Sequence, residues 1–387
     1  MIWKEHNAHR YTVNIKFKII VSLLSNGKIL TISIPTWNRS ALLKELLDLL
    51  AFQIINFNLE SKIEILVSDN GSEDDTEKVM TGFSQNHSFV TYNRNKTNIG
   101  ASGNVLKSME TAEGKFTLFL GDDDRINKNC LSGLITFLEQ NPETGLLIDS
   151  SNFKKNLFPD STESLDLVTL LENFYWHIGN AGVTILRSSF AKDNLKTHPY
   201  EYFSFSWPQT QLMILGIYQH SNLKIYIRDL NIVSDSVHGE VMMYSSHYLW
   251  RAGYYGLYNA IDSIKADLDE KSVNAAKNYL KNNIVQLSFN ILQCGVFVDD
   301  KEVKRKAVTH ISENIHMFSL KEKLFLRMIC FTLMLPAPVS KFLSNVFIFL
   351  TRGVKGIEKK NDFVKAERLK KAGLTDSNKM IVREFEF

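Results

Sequence analysis

Between Lys28 and Asp149 the chain alternates short, β-rich apolar runs with segments of helical periodicity, and the well-marked runs end in polar clusters. Lys28-Ile-Leu-Thr-Ile-Ser-Ile-Pro35 reads as a buried strand stopped by proline. Leu42, Leu43, Leu46, Leu47 and Leu50 then give Asn38 to Phe57 a helical spacing. Ile63 to Val67 is a second strand, ending in the turn-forming Ser68-Asp69-Asn70-Gly71. A helix over Glu73 to Phe83, a strand over Phe89 to Tyr92 and a helix over Ala101 to Thr111 follow. Phe116 to Leu120 is a fourth strand with Gly121-Asp122-Asp123-Asp124 at its end, before a helix over Asn127 to Gln140 and a strand over Gly145 to Asp149. Such alternation predicts an α/β fold, a mostly parallel sheet flanked by helices. Ligands of such sheets bind beyond the carboxyl ends of the strands. The polar clusters at 35–39, 68–71 and 121–124 all fall there.

Past Asp149 the pattern loosens, with a strand expected over Gly182 to Leu186, a helix over Pro208 to Tyr218 and a strand over Leu223 to Ile227. From Tyr244 the reading is helical, over 244–265, 271–293, 300–315 and an apolar tail. At roughly 150 residues per domain, the 387 residues divide into an extension (1–27), an α/β domain (28–240) and a helical C-terminal region (241–387).

Charge separates these parts. The net charge is only +3, which argues against a nucleic-acid partner. Residues 320–371, however, carry 12 basic side chains against 4 acidic ones. Within them Leu324 to Leu350 is apolar, interrupted by Pro336 and Pro338 and followed by Arg352, Lys355, Lys359, Lys360 and Lys365. Two short amphipathic segments of this kind suit an anionic membrane surface; packing on the α/β domain or on a second copy in a homo-oligomer is the competing expectation. No uncharged apolar stretch reaches the length of a spanning helix, and Cys130, Cys294 and Cys330 lie far apart with no CxxC spacing. A cytoplasmic protein, peripheral on the inner face of the membrane, is the expectation.

Three carboxylates as close as Asp122, Asp123 and Asp124 repel one another unless a cation compensates. Hard oxygen ligands suit Mg²⁺ or Mn²⁺, held by one or two carboxylates plus substrate phosphates. The competing reading is a solvated acidic turn. Asp69 and Asn70 are placed to meet a nucleotide's ribose or base; equally, Asp69 forms an Asx turn with Ser72 capping a helix. Pro35-Thr36-Trp37-Asn38-Arg39 contains neither GxGxxG nor GxxxxGK[ST], which argues against a Rossmann dehydrogenase and a P-loop enzyme. Its backbone can meet a nucleotide, and Arg39 a phosphate, unless Arg39 merely starts a helix. Asn98, Gly100 and Asn104 open a helix that either receives an anion or is simply capped.

Taken in order, Ile32-Ser-Ile-Pro-Thr-Trp-Asn-Arg39, Ile65-Leu-Val-Ser-Asp-Asn-Gly-Ser72, Asn98-Ile-Gly100 and Phe119-Leu-Gly-Asp-Asp-Asp124 resemble family 2 glycosyltransferases of the GT-A fold. The Gly-Asp-Asp-Asp form looks most like the abequosyltransferase-type branch that builds bacterial O-antigens. The resemblance implies an inverting transfer from a nucleotide-diphosphate sugar to a glycan or lipid-linked acceptor in polysaccharide or lipopolysaccharide synthesis. It implies that Pro35, Thr36, Asn38, Arg39, Asp69, Asn70, Asn98, Gly100, Asn104, Asp122 and Asp123 bind the donor. It matches the acidic cluster to a metal-binding Asp-x-Asp motif, with Asp122 and Asp124 favoured over Asp123 and Asp124 as ligands, and with His238 completing the site. The general base of such enzymes usually stands in a Glu-Asp pair. Tyr200 to Gln211 has none, Gln209 occupies its place, and Glu201 and then Asp235 are the candidates. His177, Trp176 and Trp207 either line an acceptor pocket or pack structurally. A sugar nucleotidyltransferase would show a glycine-rich basic loop after the first strand. A non-catalytic nucleotide-sugar-binding scaffold is the other alternative, supported by the missing pair.

Overall fold

The computed structural model describes residues 27–151, 165–204, 206–234, 245–297 and 299–350. The extension before residue 27, Asp235, His238 and the basic stretch beyond 350 lie outside the described residues. The first half follows the expected alternation: β1 (Leu30–Thr36), α1 (Ser40–Asn56), β2 (Ile63–Asp69), α2 (Thr76–Asn86), β3 (Val90–Arg94), α3 (Ala101–Glu110), β4 (Phe116–Phe119), β5 (Arg125–Ile126), α4 (Cys130–Gln140) and β6 (Thr144–Asp149). The second half adds α5 (Leu167–Phe174), β7 (Thr184–Arg187), α6 (Ser189–Thr197), α7 (Pro208–Gln219), β8 (Lys224–Arg228) and β9 (Val233–Ser234). Seven strands form one sheet in the order β3-β2-β1-β4-β7-β6-β8, in which β7 runs against both its neighbours and the other pairs are parallel. The expected mostly parallel sheet flanked by helices is therefore present, with one reversed strand.

β1 and β2 are buried on both sides, which is why they read as nearly continuous apolar runs. On one face Leu43, Leu46, Leu47 and Leu50 of α1 and Leu131, Leu134 and Leu138 of α4 pack on Ile32, Ile34 and Leu118. Each such burial is worth about 1.5–3 kcal/mol. The other face carries α3, α5, α6 and α7, and its core continues into the C-terminal helices: Leu106, Phe190 and Leu212 belong to the same cluster as Trp250, Leu280, Leu326 and Leu333. The helical region thus completes the second layer of the α/β body and has no separate core among the described residues.

That region comprises Ser246–Tyr248, a π-helical turn Leu249–Tyr254 and α8 (Tyr255–Ser263), then α9 (Glu270–Phe297), α10 (Lys301–Asn314), α11 (Leu320–Met334) and α12 (337–350). The single helix expected over 244–265 is interrupted by the π-turn and ends at Ser263. Two other boundaries move for a local reason. The helix expected from Glu73 begins at Thr76, because the Asp74 carboxylate accepts from the Ser40 and Thr76 amides and holds the preceding turn. The helix expected from Asn127 begins at Cys130, because Arg125 and Ile126 pair with β9 and Asn127 donates to the Asn231 carbonyl.

Candidate active site

β1, β2 and β4 run parallel, so their carboxyl ends converge on one edge, with Thr36 opposite Asp69 in the register. Beyond β1 the chain turns sharply through Asn38, at φ 52°. Its Oδ1 accepts from the Glu73 amide at 2.7 Å and its own amide donates to Ser72 Oγ at 2.8 Å, tying the β1 turn to the β2 turn. That turn aims Thr36 and Arg39 at the acidic cluster after β4. Thr36 Oγ1 donates to Asp122 Oδ2 at 2.7 Å, and Arg39 Nη1 donates to Asp122 Oδ1 at 2.8 Å. Both oxygens of Asp122 are therefore engaged inside the protein. Burial pushes its carboxyl above the usual range, while Arg39 and the Thr36 hydroxyl pull it back.

Asp123 stands differently. Its side chain is 28% exposed against 6% for Asp122, and its Oδ2 lies 3.2 Å from the same Arg39 Nη1. Asp124 Oδ2 accepts from the Gly121 amide at 2.7 Å, and burial pushes its carboxyl up to about 6 against that hydrogen bond, with the charges of Asp123 and Asp122 adding to the rise. A Cβ on residue 121 would come within 2.9 Å of Asp123 Oδ1 and 3.1 Å of Asp124 Oδ2. Glycine keeps the space between these two carboxylates open. An all-oxygen pair facing such a space fits a hard divalent cation. No group of three His, Cys, Asp or Glu converges as a ligand shell among the described residues. A cation held by one or two carboxylates, with phosphate and water as the other ligands, needs no such shell. The arrangement brings Asp123 and Asp124 together at the open edge and turns Asp122, expected as a ligand beside Asp124, inward.

Asp69 is fully buried. It accepts from the Ser72 amide at 2.8 Å and the Tyr92 hydroxyl at 2.7 Å, with Arg94 Nε 3.3 Å away. Its carboxylate builds the Asx turn, and Gly71 at φ +74° completes it. An amide network continues from there. Asn70 Nδ2 donates to Asn98 Oδ1, Asn70 Oδ1 accepts from Asn95 and from the Ile99 amide, and Asn95 and Ser68 both donate to Asn104 Oδ1. Asn70, Asn95 and Asn104 are buried, whereas Asn98 and Gly100 are exposed at the rim. Of the expected donor-binding residues, Asn70 and Asn104 thus shape the edge from within, and Asn98 and Gly100 are exposed at its rim, tied to it through Asn98 Oδ1. Tyr92, Arg94 and Asn95 were not singled out from the sequence. Their signal was position: Tyr92 and Arg94 lie in, and Asn95 follows, a strand parallel to β2.

A second tie crosses the sheet. Asp149 Oδ1 accepts from the Leu230 and Asn231 amides at 3.0 and 3.2 Å, and Oδ2 from the Ile232 amide at 2.7 Å. This buried carboxylate pins the segment leading into β9, and β9 pairs Ser234 with Arg125, the residue after Asp124. Asp235 follows Ser234 in sequence.

The remaining candidates part company. Gln209, in the first turn of α7, donates to the Gly179 carbonyl at 2.8 Å, and the Gly182 amide donates to Phe119, so the 179–182 loop and the α7 N-terminus reach the same edge. Glu201 is exposed in the turn Tyr200–Tyr202, whose Tyr200 hydroxyl donates to Glu110. Glu110 ends α3, on the amino-end side of the sheet, where Gly114 donates to Thr31. The fold does not bring Glu201 to the acidic cluster. Trp207 packs on Gly179 and donates to the Ala252 carbonyl, and Trp176 lies against Gly253; both take the packing role. His177 sits in the loop leading to Gly179, and burial lowers its pKa.

With this geometry in view, residues 31–190 match the profile of the family described as Glycosyl transferase family 2. Among curated relatives, abequosyltransferase RfbV of Salmonella typhimurium is 38% identical over 112 residues, 29% of this chain and 33% of that protein. Poly(ribitol-phosphate) beta-N-acetylglucosaminyltransferase TarS of Staphylococcus aureus is 27% identical over 252 residues, 62% of this chain and 41% of its own length. The chain thus spans about a third to two fifths of these relatives. The crystal structure of S. aureus TarS 1-349 in complex with UDP-GlcNAc covers 81% of this chain and 90% of that one, with a TM-score of 0.54 at 19% identity, a likeness of fold.

Proposed function

Because residues 31–190 match the glycosyl transferase family 2 profile, we propose that the chain transfers a sugar from a nucleotide-diphosphate donor to a hydroxyl of a glycan or lipid-linked saccharide, with inversion at the anomeric carbon. One observation carries this reading. Thr36 and Arg39 clamp Asp122 from within, so that Asp123 and Asp124 stand together at the carboxyl-end edge. We assign these two, with Mg²⁺ or Mn²⁺, to the diphosphate; the cation would neutralise charge on the leaving group. Arg39, already 3.2 Å from Asp123, adds a fixed positive charge beside that position. Asn98, exposed at the rim before α3, has an amide nitrogen for a nucleotide while its Oδ1 accepts from Asn70 and from the Gly100 amide.

The acceptor hydroxyl must lose its proton as it attacks the anomeric carbon. The turn that carries Glu201 lies beside Glu110 at the end of α3, and Gln209 has no basic group. Asp235 follows the strand that pairs with Arg125, next to Asp124 in the chain, and is the base we assign. The relatives' names guide the acceptor class: one acts on poly(ribitol-phosphate), and a Campylobacter jejuni relative, 32% identical over 117 residues, is named for an undecaprenol-diphosphate-linked saccharide. Bacterial polysaccharide or lipopolysaccharide assembly fits both.

A thermal-shift screen of UDP-, GDP- and dTDP-sugars with and without Mn²⁺ tests the donor site. The expected result is a metal-dependent shift for one donor that Asp123→Ala abolishes. A shift that survives both chelator and Asp123→Ala overturns the assignment. Asp235→Asn should keep the shift and lose transfer. If the parent binds donor yet moves sugar to no lipid-linked or polysaccharide acceptor, the chain is a nucleotide-sugar-binding scaffold, the reading that Gln209 favours.

A further inference from the structure

The α11–α12 pair forms a hairpin about the Pro336 junction. Phe325 and Phe347, about equally far from that junction, bring their rings to 6.1 Å. Leu326, Ile329 and Leu333 of α11 enter the second core, and Ser340, Ser344 and Ile348 of α12 are buried along one side. The opposite sides are apolar as well. Leu324, Met328 and Phe331 follow one another at i+4 and i+3 on α11, and Phe342, Val346 and Phe349 repeat that spacing on α12. All six are exposed, Phe331 at 63% and Phe342 at 65%. Scattered surface apolar residues need no explanation; two adjoining helix stripes do.

The charges around these stripes are of one sign. Residues 320–350 contain Lys321, Lys323, Arg327 and Lys341 and a single acid, Glu322. Glu322 is buried, accepts from Ser319 as part of the α11 capping box and accepts from the Tyr254 hydroxyl. The surface charge of the hairpin is therefore entirely cationic among the described residues. The sequence that follows, 351–371, adds eight basic residues against three acidic ones. Neither helix spans a bilayer: α11 has 15 residues, about 22 Å at the usual rise, and no described helix is long and apolar enough to cross a membrane.

We propose that this hairpin is a membrane-docking element that lies in the headgroup layer of an anionic bilayer. Short helices with an exposed apolar stripe and only basic charges at its margins meet both requirements of interfacial binding, apolar burial and attraction to anionic lipid. Lys321 and Lys341 keep their charges in the headgroups while their stems run along the apolar surface. A second copy of the chain would bring two cationic faces together, which charge opposes. The surface stands independently of the transfer reading, since binding to lipid needs no donor or acceptor.

Flotation of the full chain with phosphatidylglycerol-containing vesicles, against pure phosphatidylcholine, is the test. The expected result is about tenfold stronger partitioning onto the anionic vesicles, reduced by high salt. Leu324→Glu/Phe331→Glu/Phe342→Glu/Phe349→Glu should lower it at least tenfold. The charge-reversed Lys321→Glu/Lys323→Glu/Arg327→Glu/Lys341→Glu, which leaves the apolar stripes intact, should do the same if the first variant misfolds. Failure of the parent to float, or equal flotation of parent and both variants, overturns the proposal. So does a parent that is dimeric by light scattering and stays off vesicles, while the apolar variant is monomeric; the face then belongs to a second copy.

Discussion

At the carboxyl ends of β1, β2 and β4, carboxylates and amides are buried; on α11 and α12, phenylalanines and leucines face solvent. Both regions depart from the usual sorting of side chains, in opposite directions. At the strand ends these departures are compensated inside the molecule: Asp122 by Thr36 and Arg39, Asp69 by Ser72 and Tyr92, Asp149 by four backbone amides, Asn70 by Asn95 and Asn98. Such a network is rigid and holds Asp123 and Asp124 ready for a polar ligand. On the hairpin Leu324, Met328, Phe331, Phe342, Val346 and Phe349 are exposed, and on our reading their compensation comes from outside. Buried polarity thus organises a site, and exposed apolarity declares a surface.

If the strand-end network is as interdependent as its geometry implies, breaking one link should be expensive. Arg39→Met leaves Asp122 buried without its counter-charge, and the expected loss in urea unfolding is about 3–5 kcal/mol. Adding Asp122→Asn should restore a good part of it, because the stranded charge is then gone. A single-variant loss under 1 kcal/mol would show that Asp122 is not held as a charge.

Asp123 separates organisation from chemistry. It is partly exposed, so Asp123→Ala should hardly move the unfolding midpoint. The expected loss in transfer is about a hundredfold to a thousandfold, the scale of removing one preorganised electrostatic contact, or roughly 3–4 kcal/mol of barrier. Equal loss of folding stability and activity would place Asp123 in the scaffold with Asp122.

Most of this contrast was legible only in part from the sequence. The first half could be read because β1, β2 and β6 are buried on both faces and helices separate most of the strands. The edge of the sheet could be read because parallel strands end together. Which carboxylate of Asp122, Asp123 and Asp124 points outward was not legible, since it depends on Arg39 reaching across from the β1 turn, 83 residues away. Glu201 shows the same limit. Its place in the sequence suggested the α7 side of the site, but β7 runs antiparallel and delivers α6, and the turn after it, to the other end of the sheet. Asp149 ended a strand without comment, because its partners arrive some 80 residues later. The apolar tail was read correctly as two segments about the prolines, yet sequence alone left open which face of each would be covered.

The helical half also answers pH differently. Burial pulls the His247 pKa down to about 4, with His310, Arg251 and Lys306 pushing the same way, and burial lowers His310 as well. The unfolded chain takes up this proton near pH 6.5, the folded chain only near 4. Stability is therefore full above about 6.5 and is lost as the pH falls towards 4, because the unfolded state then binds more protons. His247 is partly exposed, so screening reduces the effect to roughly 1–2 kcal/mol. His247→Gln should flatten the unfolding free energy between pH 6.5 and 4; an unchanged slope would move the acid sensitivity elsewhere.

The smallest expected effect bears most directly on the hairpin. Leu326 and Phe331 lie on one helix, the first fully buried and the second 63% exposed. Leu326→Ala removes core packing and should cost about 2–5 kcal/mol. Phe331→Glu and Phe342→Glu remove side chains that contribute little to the folded chain in water, and should change its unfolding free energy by no more than about 0.5 kcal/mol. Near-neutral stability is what a surface kept for an outside partner requires. A cost of 2 kcal/mol or more for Phe331→Glu would mean that the stripe is covered within the chain itself, and the contrast between the two regions would then collapse into one fully compensated molecule.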